Sequence, residues 1–195
     1  MAAITATLDH QLLASSSATA ASPVAVETLA PRPPGRLLSD PAGAPGEADG
    51  VVPAGVTVFD DQSSVVASLN PALLAALRRA ATDAAGDGVE FVVNNGWRSP
   101  KYHEQPLQEA IAKCGSATEA ARWVATPSIS AHVTGDAVDI GPSAATAWLS
   151  EHGARYGLCQ IYRNEPWHDE LRPQAVDHGC PPMHADPSHD PRMRQ

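Results

Sequence analysis

The chain has 195 residues, of which 43% are hydrophobic, 18% charged and only 5% aromatic. That length suits one domain with or without an extension, and it is enough to bury a core. Thirteen basic against 22 acidic residues leave a net charge of −9, which excludes nucleic acid and anionic membrane as general partners, because both present phosphate of the same sign. No run approaches the roughly 20 apolar residues of a membrane-spanning helix. The first residues lack a basic segment and are interrupted by Asp9 and His10, so no signal peptide is read there.

Residues 1–54 are Pro/Ala-rich, with seven prolines, and read as an arm that is partly extended or disordered. Residues 55–175 read as the folded domain, and 176–195 as a Pro/His-rich tail. Within the domain, residues 56–59 alternate as a short strand. Asn70 and Pro71 supply a cap and an N1 proline for a helix that runs to Gly86, with Leu73, Leu74, Leu77, Ala81 and Ala84 on one face. The β-branched run 89–93 reads as a buried strand ending at the Asn95-Gly96 turn. Helices are expected over 100–113 and over 116–124, the second opened by a Ser116/Glu119 capping box. A strand over 137–140, a helix over 142–152 and a hairpin of strands 157–162 and 167–171 complete the list. The pattern is α+β: a small antiparallel sheet flanked by helices. Three cysteines allow one disulfide at most, and spacing favours Cys159 with Cys180.

The chemistry concentrates in Ser130-Ala131-His132-Val133-Thr134-Gly135-Asp136-Ala137-Val138-Asp139. The turn at Gly135 lets the chain leave one loop or strand end at His132 and re-enter a strand at Asp139, so both side chains can converge. Imidazole and carboxylate are zinc ligands, and a catalytic site holds three protein ligands with a fourth position for water. The best third ligand is His168 in Glu165-Pro166-Trp167-His168. Glu165, three residues upstream, stands where a general base for the attacking water belongs. Each residue taken alone has a plainer reading. Asp139 can cap a turn, His132 can be a surface histidine, Glu165 a solvated turn acid and His168 a satisfied core histidine. Arg98, just beyond the buried strand, can bind a carboxylate or an oxyanion, or merely stack on Trp97 or pair with a surface acid. His103, His152, His178, His184 and His189 are rival metal ligands with weaker framing.

These three motifs in this order, G-W-R-S, S-x-H-x-x-G-x-A-x-D and E-P-W-H, resemble the VanY-type zinc D-alanyl-D-alanine carboxypeptidases over about residues 56–172. Their fold is shared by VanX-type D-Ala-D-Ala dipeptidases and some phage peptidoglycan endopeptidases. The resemblance implies one Zn2+ per chain held by His132, Asp139 and His168, with Glu165 as base and Arg98 steadying substrate or oxyanion. It places Ser130 and Gln105 among substrate-contacting groups. It implies a monomer acting on peptidoglycan stem peptides or D-Ala-D-Ala precursors, at the cell envelope or secreted, or in the cytoplasm for a dipeptidase-like enzyme. A dipeptidase, an endopeptidase or a non-catalytic wall-binding zinc module are the alternatives. One departure stands out: Asp169 follows the third ligand, where the family commonly has an aromatic. Alternation puts Glu170 on the same face as His168, as a holder of its imidazole.

Overall fold

The computed structural model describes residues 44–194, so most of the expected arm lies outside the described residues. Four strands, β1 (Val92–Asn95), β2 (Ala137–Gly141), β3 (Leu158–Tyr162) and β4 (Glu165–Leu171), form an antiparallel sheet in the order β1-β2-β4-β3. The helices among the described residues are α1 (Ser64–Ala67), α2 (Pro71–Gly86), α3 (Pro100–Cys114), α4 (Ala117–Ala120), α5 (Ala131–Thr134), α6 (Ser143–His152) and α7 (Ala175–His178). The α+β expectation holds.

Helix α2 starts as its sequence dictates. Asn70 Oδ1 accepts from the Ala72 N–H at 2.9 Å, and Pro71 occupies the first helical position. Its buried stripe, Leu73, Ala76, Leu77, Ala80, Ala81 and Ala84, packs with α6 over one face of the sheet, where Val93, Val138, Ile140 and Leu158 point. Burying such a continuous apolar surface is the main driving force for the domain. The opposite face carries Asp139, His168 and Glu170. Register explains the division: Asp139 pairs with His168 and Val138 with Asp169 across β2 and β4, and successive side chains alternate faces.

Several expectations are corrected. Residues 56–59 form no strand beyond a single bridge from Thr57 to Val92, because the Asp60 carboxylate captures the Thr57 N–H at 2.6 Å and turns the chain. The strand expected over 89–93 runs instead from Val92 to Asn95. The helix expected over 116–124 stops at Ala120. Ser116 caps it as expected, at 3.2 Å to the Glu119 N–H. Beyond it, Arg122 is drawn to Asp186 at 3.1 Å, and its carbonyl accepts from Asn164 at 2.8 Å. Tertiary bonds here override local propensity.

Two boundaries also differ from the compositional reading. Asp49, placed in the arm, accepts from Ser99 Oγ at 3.0 Å and from the Ser99 N–H at 2.8 Å. The residues after 176 are bonded to the domain rather than unframed. Cys180 is disulfide-bonded to Cys159 as spacing favoured, His184 bridges to Tyr162, and Asp190 accepts from the Tyr162 hydroxyl at 3.1 Å.

Candidate metal centre and the family of the chain

Four short segments build the site. The β1 end and the loop after it carry Asn95 and Arg98; α5 carries His132; the paired strands β2 and β4 carry Asp139 and His168. His132 sits on a single helical turn rather than at a strand or loop end. Ser130 opens that turn, accepting from the His132 N–H at 3.3 Å, and Gly135 closes it at φ +77°. A side chain at 135 would run into the Ser68 carbonyl oxygen, while the Gly135 carbonyl accepts from the Asn70 N–H at 2.8 Å. The start of α2 thus fixes the turn between the two motif residues. The loop after β1 interlocks with α5 from the other side: the Arg98 N–H donates to the His132 carbonyl at 3.1 Å, and His132 Nδ1 lies 2.9 Å from the Gly96 carbonyl.

These bonds decide which atoms remain for a ligand. With Nδ1–H donated to Gly96, His132 presents its Nε2 lone pair. His168 is held the other way round: its Nε2 lies 3.3 Å from Glu170 Oε1, so Nδ1 faces inward. Asp139 Oδ2 accepts from Asn95 Nδ2 at 3.1 Å and pairs with Arg98 at 3.5 Å, which leaves Oδ1 facing both imidazoles, at 3.4 Å from His132 Nε2 and 3.3 Å from His168 Nδ1. The three ligand atoms lie within 4.8 Å of one another, and all three residues are buried. Asp139 Oδ1, His168 Nδ1 and Glu165 Oε1 are buried without a hydrogen-bond partner. Buried orphan polar atoms are costly, and here they converge. The 3.4 and 3.3 Å from Asp139 Oδ1 to the two imidazole nitrogens match the edge of a tetrahedron with metal bonds of about 2.0 Å, roughly 3.3 Å, and the N, N, O donor set is one that zinc accepts. The residues present fit a zinc ion.

Electrostatics follow from burial and from this crowding. Burial pushes the His132 imidazole down and keeps it neutral, against the pull of Asp139. Burial also works against protonation of His168, but the Asp139 and Glu170 carboxylates, one at each ring nitrogen, outweigh it and lift the group to about 10 in the metal-free protein. Burial would raise Asp139, yet the two imidazoles hold it well below the usual carboxylate range. Glu165, with Oε2 3.8 Å from His168 Nδ1, is pushed up to about 7, mainly by burial.

A cavity of about 450 Å3 opens over this cluster and is lined by Arg98, Ser130, Glu165 and Gln105 as well as the triad. Gln105 lines the cavity from an exposed position. The residue that grips Arg98 is His103, which sequence reasoning considered only as a rival ligand. Its Nε2 lies 2.9 Å from the Ala125 carbonyl and its Nδ1 3.4 Å from an Arg98 Nη. Burial lowers it to about 4, so the neutral ring donates to Ala125 and accepts from Arg98. Asn95 was missed as well; its only sequence signal was a turn dipeptide. Asp169 resolves the stated departure: it points away from the metal face, opposite Val138, fully buried and with both oxygens unpartnered. Burial pushes it up to about 8.

Known proteins resemble the chain over the segment that carries this cluster. Residues 66–173 match the family VanY, D-alanyl-D-alanine carboxypeptidase. A D-alanyl-D-alanine carboxypeptidase of Enterococcus faecalis is 30% identical over 110 residues, 44% of this chain and 41% of that protein; the chain therefore spans about two-fifths of the length of this curated relative. Among solved structures, the vancomycin-resistance D,D-pentapeptidase VanY from a VanB-type cassette, a mutant in complex with Zn(II), is 26% identical with a TM-score of 0.50, covering 53% of this chain and 72% of that one. VanYB in complex with D-alanine-D-alanine shares the fold at 24% identity and a TM-score of 0.52, covering 57% of this chain and 74% of that one. The LD-carboxypeptidase LdcB shares it at 22% and 0.52, covering 66% and 71%. The match over more than half of the chain, on the segment that carries the His-Asp-His cluster, places the chain in the VanY D-alanyl-D-alanine carboxypeptidase family.

Proposed function

We propose that the chain is a zinc-dependent carboxypeptidase that removes the terminal D-alanine from D-Ala-D-Ala-ended stem peptides or their precursors, at the cell envelope or outside the cell. The observation that carries the reading is the convergence of three buried ligand atoms beside the unpartnered Oε1 of Glu165. A zinc ion held by His132 Nε2, Asp139 Oδ1 and His168 Nδ1 supplies Lewis-acid polarisation of the scissile carbonyl and a water of lowered pKa.

The chain's own groups do the rest. Glu165, raised to about 7, takes the proton of the attacking water and returns it to the leaving amine, the exchange for which a pKa near the working pH is best matched. Arg98, whose Nε has no protein partner, offers its guanidinium to a substrate carboxylate or to charge developing on the carbonyl oxygen. His103 and Asp139 hold that guanidinium from two sides. Ser130 and Gln105, on the cavity wall, contact the peptide.

The test is D-alanine release from a synthetic pentapeptide ending in D-Ala-D-Ala, with free D-Ala-D-Ala and a cross-linked peptide offered in parallel. Release from the pentapeptide is expected, and Glu165→Gln is expected to lower kcat by about three decades, within the range that loss of a general base produces. Cleavage of the dipeptide or the cross-link alone, or full activity in Glu165→Gln, contradicts the reading.

A further inference from the structure

The family match ends at residue 173, but the chain beyond it reaches the metal centre. Residues 180–194 run back along the β3 edge. Cys180 is bonded to Cys159 on β3, the His184 N–H donates to the Ile161 carbonyl at 2.9 Å, and the Arg163 N–H donates to the His184 carbonyl at 3.0 Å. Pro187 and Met193 then enter the wall of the cavity. At the end of this segment, Arg192 Nη1 donates to Glu170 Oε2 at 2.8 Å and Nη2 to Glu170 Oε1 at 3.1 Å. Glu170 is fully buried, and its Oε1 is the oxygen that faces His168 Nε2.

Glu170 has a second cation, Arg172, at 2.6 Å, but that contact reaches Oε2 alone. Arg192 spans both oxygens in the two-pronged geometry that fixes a carboxylate plane as well as its charge. Arg192 is itself fixed by Asp190, at 2.5 Å from Nη2 and 3.1 Å from Nε to the two carboxylate oxygens. Asp190 in turn accepts from Tyr162, whose ring lies 5.1 Å from the His168 ring. A chain of contacts therefore runs Asp190–Arg192–Glu170–His168 to the inward-facing Nδ1.

We propose that Arg192 is a positioning residue of the metal centre: it locks the Glu170 carboxylate in the orientation that holds His168, so the segment beyond the family match is a working part of the site. The inference rests on the zinc reading above and goes beyond it, because it makes metal affinity depend on a residue outside the segment that the family match covers. Partners of metal-bound histidines are worth about 10–100-fold in metal affinity.

The test measures zinc affinity by competition with a chromophoric chelator, on the full chain, for wild type, Arg192→Gln, Glu170→Gln and the double variant, with the melting temperature of each metal-free protein recorded. Arg192→Gln is expected to weaken zinc binding by about tenfold or more. Added to Glu170→Gln, it is expected to cost less than about twofold further, since contacts in one chain are not additive. A purely structural role would lower the metal-free melting temperature and leave affinity alone. The inference is overturned when Arg192→Gln binds zinc within about twofold of wild type, or when its cost is the same with and without Glu170. Arg192→Lys keeps the charge and loses the fork. If the glutamine variant does not fold, a Lys variant about threefold or more weaker supports the inference, and one equal to wild type overturns it. A wild-type chain that binds no zinc instead defeats the reading on which the inference stands.

Discussion

At the scale of single residues, the candidate ligands were legible because each motif is local. His132, Gly135 and Asp139 lie within eight positions, and Glu165 and His168 within four, so short-range geometry already aims them together. Asn95, His103 and Arg192 were not legible. Each acts through a partner set by tertiary packing, and an asparagine in a turn or an arginine near a terminus has ordinary explanations. Activity that depends on ionised Glu165 is present above its pKa and falls as pH drops through it. Burial sets that value at about 7 in the metal-free protein, and a bound cation moves it down, so the acid limb of kcat/KM is expected at or below pH 7. A limb well above 7 would contradict the assignment.

Asp169 has the opposite consequence, for stability. Its folded-state pKa, about 8, lies above the ordinary carboxylate value. The folded chain therefore holds a proton that the unfolded chain releases, and stability is lost as pH rises from about 4 towards 8. Asp169→Asn mimics the protonated form. It is expected to leave stability unchanged near pH 4 and to raise it near pH 8 by several kcal/mol, about 1.4 kcal/mol for each unit that separates the folded and unfolded pKa. Denaturant unfolding at the two pH values checks this, and an equal effect at both would contradict it.

At the scale of elements, the long helices and the hairpin followed from periodicity, caps and β-branched runs. The misreadings were the short pieces. Residues 56–59 look like a strand by propensity, but the Asp60 carboxylate, accepting from both the Thr57 N–H and the Thr57 hydroxyl, bends them. The extension of α4 failed where Asn164 takes the Arg122 carbonyl, the acceptor that the next helical turn would use. The element that matters most to the site is the turn of α5, closed by Gly135. Gly135→Ala must place a Cβ at φ +77° and against the Ser68 carbonyl. Gly115→Ala faces the same dihedral strain at φ +79° but open space. The left-handed conformation alone costs roughly 1–2 kcal/mol. Urea unfolding is expected to show that Gly115→Ala loses about that much and Gly135→Ala more. Equal losses would mean that the close approach to Ser68 has no weight.

At the scale of the whole molecule, a sheet with an apolar face under α2 and α6 supports a polar face on which candidate ligands from three segments meet. The low aromatic content belongs to this picture: the nine aromatics fall between Phe59 and Trp167, and Tyr102, Trp123, Tyr162 and Trp167 line the cavity. The extent of the domain was the least legible feature. Composition marked 1–54 and 176–195 as extensions, yet Asp49 bonds to Ser99, and the segment after Cys180 bonds to Glu170 through Arg192. Proline-rich chain held by side-chain bonds and one disulfide carries no periodicity to read.

The central claim, a zinc site made by His132, Asp139 and His168, is tested most directly by the metal content of the purified chain. Elemental analysis is predicted to find one zinc per wild-type chain, and almost none in a His132→Ala variant that keeps the wild-type far-ultraviolet circular dichroism. A wild-type chain that binds no zinc, or a folded His132→Ala variant that retains a full equivalent, would contradict it.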